Sequence, residues 1–443
     1  MTEKLTGYKG KVLKTLEAAE AQVGDIVKIT KNGETYEGVL MPRYELADDK
    51  HVIIKLKNGY NIGIRMTPET RVEKTGTGAK PAFKPPPAPK RDPSLPRVAI
   101  ISTGGTIASR IDYRTGAVHS AITAKDLYGT IPEVSEKANI EVEVLFSLYS
   151  ENIHAPHWTK LAESTASRIK AGVDGVVICH GTDTMAYTSA ALSFALQDLP
   201  VPVILVGSQR SSDRPSSDAA MNLINAVYAA GNAPFAEVAL GMHETTSDKA
   251  TVMHRGTKVR KCHTSRRDAF KSINIPPLGR VEDDKITMLI EDYKKRDKKR
   301  ELVLKPRFEE NVALIKFHPG FNPKIVDQYV DEGYFGIILE GTGLGHVGSI
   351  LYEHLGNAIK KGLFVGMTSQ CIWGRVNMNV YDTGMDLQAM GVTPLGDMLP
   401  ETALVKAMWV FGQTKDPEKA KGLLIKNIAG EISPKTYYES ESP

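Results

Sequence analysis

The sequence predicts an α/β protein with two α/β units, preceded by a small β-barrel of the SH3-like or Sm-like kind. Apolar, β-branched runs at 98–101, 142–146, 175–179, 203–206 and 238–240 are separated by helical stretches, the pattern of strands buried on both faces of a parallel sheet. A second unit follows, with strands at 312–316, 336–339 and 363–367 and an amphipathic helix at 401–411. Upstream, short partly alternating runs at 25–30, 36–41, 51–56 and 61–65 carry the turn pairs Asn32-Gly33 and Asn58-Gly59. Asn and Gly tolerate the positive φ that a tight hairpin needs.

The expected organisation is a barrel at 1–74, a linker at 75–96, an α/β domain at 97–290, a charged connector at 291–310 and a second α/β domain at 311–443. The linker reads GTGAKPAFKPPPAPKRDPSLP, and its prolines favour an extended, semi-rigid spacer. The connector concentrates Lys294, Lys295, Arg296, Lys298, Lys299 and Arg300. A barrel of this size docks to protein or RNA rather than catalysing. Its lysines are interspersed with Glu34, Glu37, Glu45, Asp48 and Asp49, which favours protein.

Composition excludes little but directs the search. A net charge of +4, from 56 basic and 52 acidic residues, does not demand a nucleic-acid partner. The cysteines, Cys179, Cys262 and Cys371, are too far apart for a CxxC pair or a disulfide framework, so a reducing compartment is expected. With no apolar leader and no long apolar run, the expected location is the cytoplasm. The histidines form no HExxH pattern and there is no GxxxxGK[ST] segment, so no metal and no nucleotide cofactor is expected in this chain.

Two segments carry the chemistry. The run VAIISTGGTIA at 98–108 is an apolar strand ending in a Gly-Gly turn and Thr106. Open α/β sheets bind ligands at such carboxyl ends. Gly104 and Gly105 permit a sharp turn with bare N–H groups able to hold an oxyanion, and Thr106 sets a hydroxyl beside them. A phosphate-cradling loop or an ordinary strand-to-helix turn reads equally well from this segment alone. The run CHGTDTM at 179–185 closes another apolar strand, where Thr182 and Asp183 combine a hydroxyl with a carboxylate. Capping of the following helix is compatible with that use.

Taken together, TGGTIA and HGTDTM resemble the paired signatures of the bacterial-type L-asparaginase family. The likeness spans about 98–413 and includes GSQR at 207–210, a helix bearing Asn222, and GTGLG at 341–345. It implies a flavodoxin-like N-terminal sheet followed by a smaller C-terminal α/β unit. It also implies that Thr106 is the acylated nucleophile, assisted by Tyr113 on the following loop, and that Thr182, Asp183 and Lys261 form a second triad. Lys258 is the near rival of Lys261, one of several cations in a basic stretch that would otherwise read as solvated surface charge. A lysine packed against Thr182 can take a proton from a hydroxyl or water. By the same resemblance, Gly105, Ser150, Glu151 and Asp183 bind substrate. Glu151, where secreted members carry glutamine, and Asp183 would pair with an α-ammonium, while Ser150 and loop N–H groups would hold an α-carboxylate.

The barrel and spacer are more than a free asparaginase needs. Together with RKCHTSRRDAF at 260–270, TSQCIWGRVNMNVYDTG at 368–384 and GDMLPETALVKAMW at 396–409, the whole chain is similar to the D subunits of archaeal glutamyl-tRNA(Gln) amidotransferases. That resemblance implies a glutaminase whose ammonia passes to an E subunit, which uses ATP and Mg²⁺ to convert Glu-tRNA(Gln) into Gln-tRNA(Gln). It implies as well a homodimer of this subunit within a heterotetramer, and no membrane. A stand-alone cytoplasmic L-asparaginase is the alternative. A third reading, an RNA-binding barrel and basic segment beside a vestigial catalytic fold, is opposed by the competent side chain at every matched position.

Overall fold

The computed structural model describes residues 5, 7–43, 48–56, 61–77, 91–104, 109–111, 118–120, 131–210 and 217–435. At the N-terminus, helix α1 (Gly10–Ala18) precedes strands β1 (Ile26–Lys31), β2 (Glu34–Leu40), β3 (His51–Lys55), β4 (Asn61–Arg65) and β5 (Arg71–Gly76). They form an antiparallel sheet ordered β4-β3-β2-β1-β5. Alternate residues Val27 and Ile29, Val52 and Ile54, with Leu40 and Ile64, turn to one core that α1 closes with Val12 and Leu16. The β1–β2 turn has Asn32 at φ 52° and Gly33 at φ 80°, the left-handed pair that its sequence implies. Asn58-Gly59 and Glu45 lie outside the described residues. Helix α1 and strand β5 are additions to the runs that the sequence predicts here.

The next unit contains β6 (Arg97–Gly104), a hairpin of β7 (Ser109–Ile111) and β8 (Val118–Ser120), β9 (Asn139–Leu148), α2 (Ala155–Lys170), β10 (Gly175–Cys179) and α3 (Met185–Ala195). It continues through β11 (Leu196–Gln197), β12 (Val203–Val206), α4 (Ala219–Asn232), β13 (Val238–His243), β14 (Thr251–Arg255), β15 (Val259–Lys261), β16 (Phe270–Ser272), β17 (Gly279–Glu282), β18 (Lys285–Met288) and β19 (Val303–Leu304). The main sheet is ordered β18-β17-β14-β13-β12-β10-β6-β9. From β9 to β13 all neighbours are parallel. Numbered among themselves in chain order, those strands run 2-1-3-4-5, the flavodoxin-like arrangement, whose order reverses between β6 and β10.

Strand alternation builds both cores. Ala99, Ile101, Val176, Ile178, Val203 and Leu205 meet α2 and α3 on one face, while Val98, Ile100, Val177, Ile204 and Val206 meet α4 on the other. The sheet is not purely parallel, because β14, β17 and β18 extend it antiparallel. Part of the stretch that reads as a charged connector is strand β19, which pairs antiparallel with β11. Its basic run is also committed internally. Arg296 donates to the terminal carbonyls of α4, Ala230 at 2.6 Å and Gly231 at 2.8 Å, a favourable place for a cation at a helix C-terminus. Arg300 donates to the Leu199 carbonyl, and Lys294 and Lys298 pair with Asp198 and Asp174.

The C-terminal unit is a parallel sheet ordered β20-β21-β22-β23, from β20 (Val312–Lys316), β21 (Gly336–Gly341), β22 (Phe364–Ser369) and β23 (Thr393–Pro394). Helices α5 (Lys324–Asp331), α6 (Tyr352–Lys360) and α7 (Asp382–Met390) accompany it, followed by α8 (Pro400–Gln413) and α9 (Pro417–Ile425). Amphipathic character was expected for α8, yet nearly every residue from Pro400 to Phe411 is buried. The reason is its position between units. Trp409 stacks on Phe194 of α3, with ring centroids 5.9 Å apart, and the same cluster takes in Val312 and Ile338 of the C-terminal sheet.

Candidate active site

A reversal of strand order is where open α/β sheets bind ligands, at the carboxyl ends of the strands, and the described parts of both sequence signatures, Thr103-Gly104 and Cys179 to Met185, lie at those ends of β6 and β10. Thr103 Oγ1 donates to the Cys179 carbonyl at 3.0 Å, tying the two strand termini together. Gly104 follows at φ 110°, and a Cβ there would lie 2.3 Å from the Leu148 carbonyl oxygen. Only glycine allows β6 to pass this closely under β9 and turn. Gly105, Thr106 and Tyr113 lie outside the described residues.

On the neighbouring strand, Cys179 leads into His180, which is wholly buried. His180 Nδ1 donates to the Gly181 carbonyl at 2.7 Å, and its Nε2 accepts from Thr188 Oγ1 at 2.9 Å. Thr188 in turn accepts the indole N–H of Trp158 at 3.1 Å. This chain of bonds from α2 through α3 fixes the loop just before Thr182. Thr184 Oγ1 donates to the Ser150 carbonyl at 2.6 Å. A Cβ on Gly181 would come within 2.8 Å of Ser150 Cβ. Ser150 is thus buried directly against the HGTD loop, and Glu151, on the same one-turn helix, is exposed.

Lys261 completes the cluster from β15. Its Nζ donates to Thr182 Oγ1 at 2.8 Å and to Asp183 Oδ1 at 2.8 Å. Thr182 is buried, whereas the Asp183 side chain is 71% exposed and so is open to a ligand. Lys258 goes elsewhere. It is fully buried, with Nζ 2.6 Å from Asp397 Oδ2 of the C-terminal unit. Geometry therefore separates the two lysines that the sequence could not. Among the described residues, Thr182, Asp183, Lys261 and Ser150 are brought together.

The GSQR loop beside them is braced by Asp218, which accepts the N–H groups of Gln209 and Arg210 at 3.0 Å. Asn222 donates to the Gly207 carbonyl at 3.0 Å and is held by His243 at 2.6 Å. Asp218, His243 and His180 were missed as supporting residues. Only His180 carried a sequence signal, its place within HGTDTM. A concavity of about 420 Å³, lined by Gln197, Glu237, Arg255 and Lys305, is formed at the opposite, amino-terminal end of the strands and contains none of the expected site residues. No group of three or more His, Cys, Asp or Glu able to hold a metal is found among the described residues. No helix among them is long and apolar enough to cross a membrane.

Burial pushes the His180 imidazole down to about 4 and His254 down to about 3. Both histidines fold in the neutral form, whereas in the unfolded chain they bind protons near pH 6.5. Between those limits the unfolded state carries more protons, so stability is complete above about pH 6.5 and declines as the pH falls toward 4. Thermal unfolding is expected to move to lower temperature from pH 7 to pH 4.5, before most carboxylates are protonated. An unchanged melting temperature across that window would show that these imidazoles are not held neutral.

Known proteins resemble this chain in sequence and in fold. The family described as Asparaginase, N-terminal, matches residues 97–293, the Glutaminase/Asparaginase C-terminal domain matches 311–424, and the GatD N-terminal domain matches 21–74. The chain is 52% identical over 430 residues to the D subunit of glutamyl-tRNA(Gln) amidotransferase from Methanothermobacter thermautotrophicus, covering 97% of this chain and 98% of that one. It is 52% identical over 423 residues to the Pyrococcus furiosus protein of the same name, covering 94% and 96%. Among solved structures, the thermostable L-asparaginase of Thermococcus kodakarensis superposes with a TM-score of 0.69 at 32% identity, over 76% of this chain and all of that one. L-asparaginase I of Vibrio cholerae gives 0.68 at 29% identity, over 77% and 100%. The asparaginases account for the two α/β units alone, whereas the amidotransferase D subunits share the whole length including the N-terminal sheet, and so the chain belongs to the family of glutamyl-tRNA(Gln) amidotransferase D subunits.

Proposed function

We propose that this chain hydrolyses glutamine to glutamate and ammonia, and that the ammonia is consumed by an E subunit converting Glu-tRNA(Gln) to Gln-tRNA(Gln) with ATP and Mg²⁺. The observation that carries the reading is Lys261 Nζ at 2.8 Å from both Thr182 and Asp183, beside the strand that leads into Thr106. In this reading Thr106 Oγ attacks the carboxamide carbon, ammonia departs, and water then cleaves the resulting ester. Tyr113 assists Thr106, and Thr182, Asp183 and Lys261 relay the protons. The N–H of Gly105 and the hydroxyl of Ser150 hold the oxyanion and α-carboxylate, while Glu151 and Asp183 pair with the α-ammonium. Free ammonia is mostly protonated at neutral pH, so passage within a complex preserves its nucleophilicity.

The assembly is a homodimer of this subunit joined to two partner subunits in the cytoplasm, with the N-terminal sheet docking to protein. Ammonia release from glutamine by the complex, with and without charged tRNA, tests the reading. Release is expected to rise with the partner and tRNA, and Thr106→Val is expected to lower it by at least about 10³-fold while glutamine still binds, because the covalent route is lost. Rapid asparagine hydrolysis by the isolated chain, with glutamine ignored, would favour a stand-alone asparaginase.

A further inference from the structure

Strand β15, which carries Lys261, is held from behind by the C-terminal unit. Residues on a strand alternate between faces. Val259 packs into the core beneath the main sheet and Lys261 reaches Thr182 and Asp183. Lys258 and Arg260 point the opposite way. Lys258 Nζ meets Asp397 Oδ2 at 2.6 Å and the Asp397 carbonyl at 3.1 Å, with both side chains buried. Arg260 Nε lies 3.4 Å from Glu401 Oε1, and Glu401 is only 6% exposed. One residue before Lys258, the Thr257 carbonyl accepts from Thr402 Oγ1 at 3.0 Å, and Thr257 Oγ1 donates to the Ala429 carbonyl at 3.0 Å. Asp397 is itself fixed by the Ser433 N–H at 2.8 Å.

Besides the burial of Val259, β15 is held laterally, among the described residues, by β16 in a two-stranded ladder of three residue pairs separate from the main sheet. The position of the Lys261 amine therefore depends on a short ribbon whose charged anchors in the C-terminal unit are Asp397 and Glu401, with Thr402 and Ala429 bonded to Thr257 just before it. From this juxtaposition we propose that Asp397 and Glu401 are positioning residues for Lys261, acting through Lys258 and Arg260 to hold its amine against Thr182. The inference rests on the proposed role of Lys261 in the hydrolysis. A proton relay requires heavy atoms within hydrogen-bond reach, so a displacement of about 1 Å costs rate while substrate groups held elsewhere keep their affinity.

The test uses the full chain in complex with its partner subunit and tRNA. Glutamine hydrolysis is measured for Glu401→Gln, Arg260→Met and Asp397→Asn, with the active-site concentration titrated by an electrophilic glutamine analogue and the melting temperature recorded. Per titrated site, kcat is expected to fall at least tenfold for each variant, with KM changing less than threefold. The swap Arg260→Glu with Glu401→Arg is expected to recover at least a third of the wild-type rate. Asp397→Asn leaves Lys258 buried without its charge partner; if that variant fails to fold, the Arg260 and Glu401 variants decide. A kcat per site within twofold of wild type, a loss confined to the number of active sites, or a swap no faster than the single variants overturns the proposal. Lys261→Met, run in parallel, distinguishes the underlying reading: if it retains full activity, the relay itself is wrong, whatever the Asp397 and Glu401 variants do.

Discussion

Lys261→Met is expected to lower ammonia release roughly 10²–10⁴-fold, the range for removing a positioned acid–base group. The substitution keeps most of the aliphatic stem and deletes the amine that lies 2.8 Å from both Thr182 Oγ1 and Asp183 Oδ1. Stability is expected to change little, because the Asp183 partner is 71% exposed and an exposed ion pair contributes about 0–1 kcal/mol. Glutamine affinity, measured by calorimetry on the Thr106→Val background, is expected to stay within a fewfold of its starting value. A large loss of affinity with an unchanged turnover rate would instead make Lys261 a substrate ligand.

The largest stability effect is expected at Glu431→Ala. Lys406 Nζ lies 2.6 Å from Glu431 Oε1, and both side chains are completely buried. Lys406 also donates to the Leu424 and Lys426 carbonyls, and Glu431 accepts the N–H groups of Ile428 and Ala429. The pair therefore pins the C-terminal segment onto α8. Removing one partner leaves an uncompensated charge in the interior, a cost of about 3–5 kcal/mol. Replacing both, as Lys406→Met with Glu431→Leu, is expected to recover most of that loss, since well-packed apolar substitutes for a buried pair are often neutral. Urea unfolding of the three proteins measures both effects. A loss under about 1 kcal/mol in Glu431→Ala would mean that water reaches the site and solvates the lysine.

Legibility along the chain followed how local each signal was. Strands β6, β10, β12, β13, β20, β21 and β22 were readable because a strand covered on both faces is continuously apolar. The hairpin turn at Asn32-Gly33 was readable from two residues whose backbone tolerance is intrinsic. Helix α1 escaped because Lys11, Lys14 and Glu17 mask the buried Val12 and Leu16, and α8 was given an exposed face that its place between two units removes. The basic run from Lys294 to Arg300 looked like solvent-facing charge because its partners, the α4 carbonyls and Asp174, Asp198 and Leu199, are at least 60 residues away.

Residue chemistry alone picked out a hydroxyl-bearing turn after one apolar strand, a Thr-Asp pair after another, and a basic stretch downstream. These are properties of a few neighbouring positions, and no folding is needed to see them. Which cation in that stretch serves the site was a different kind of question, since Lys258 and Lys261 are chemically the same. Only the chain's path answers it: Lys258, in the bend before β15, reaches Asp397 in the C-terminal unit, while Lys261, at the end of the strand, reaches Thr182. The partners lie 139 and 79 residues away, and no local pattern can report contacts made over such separations.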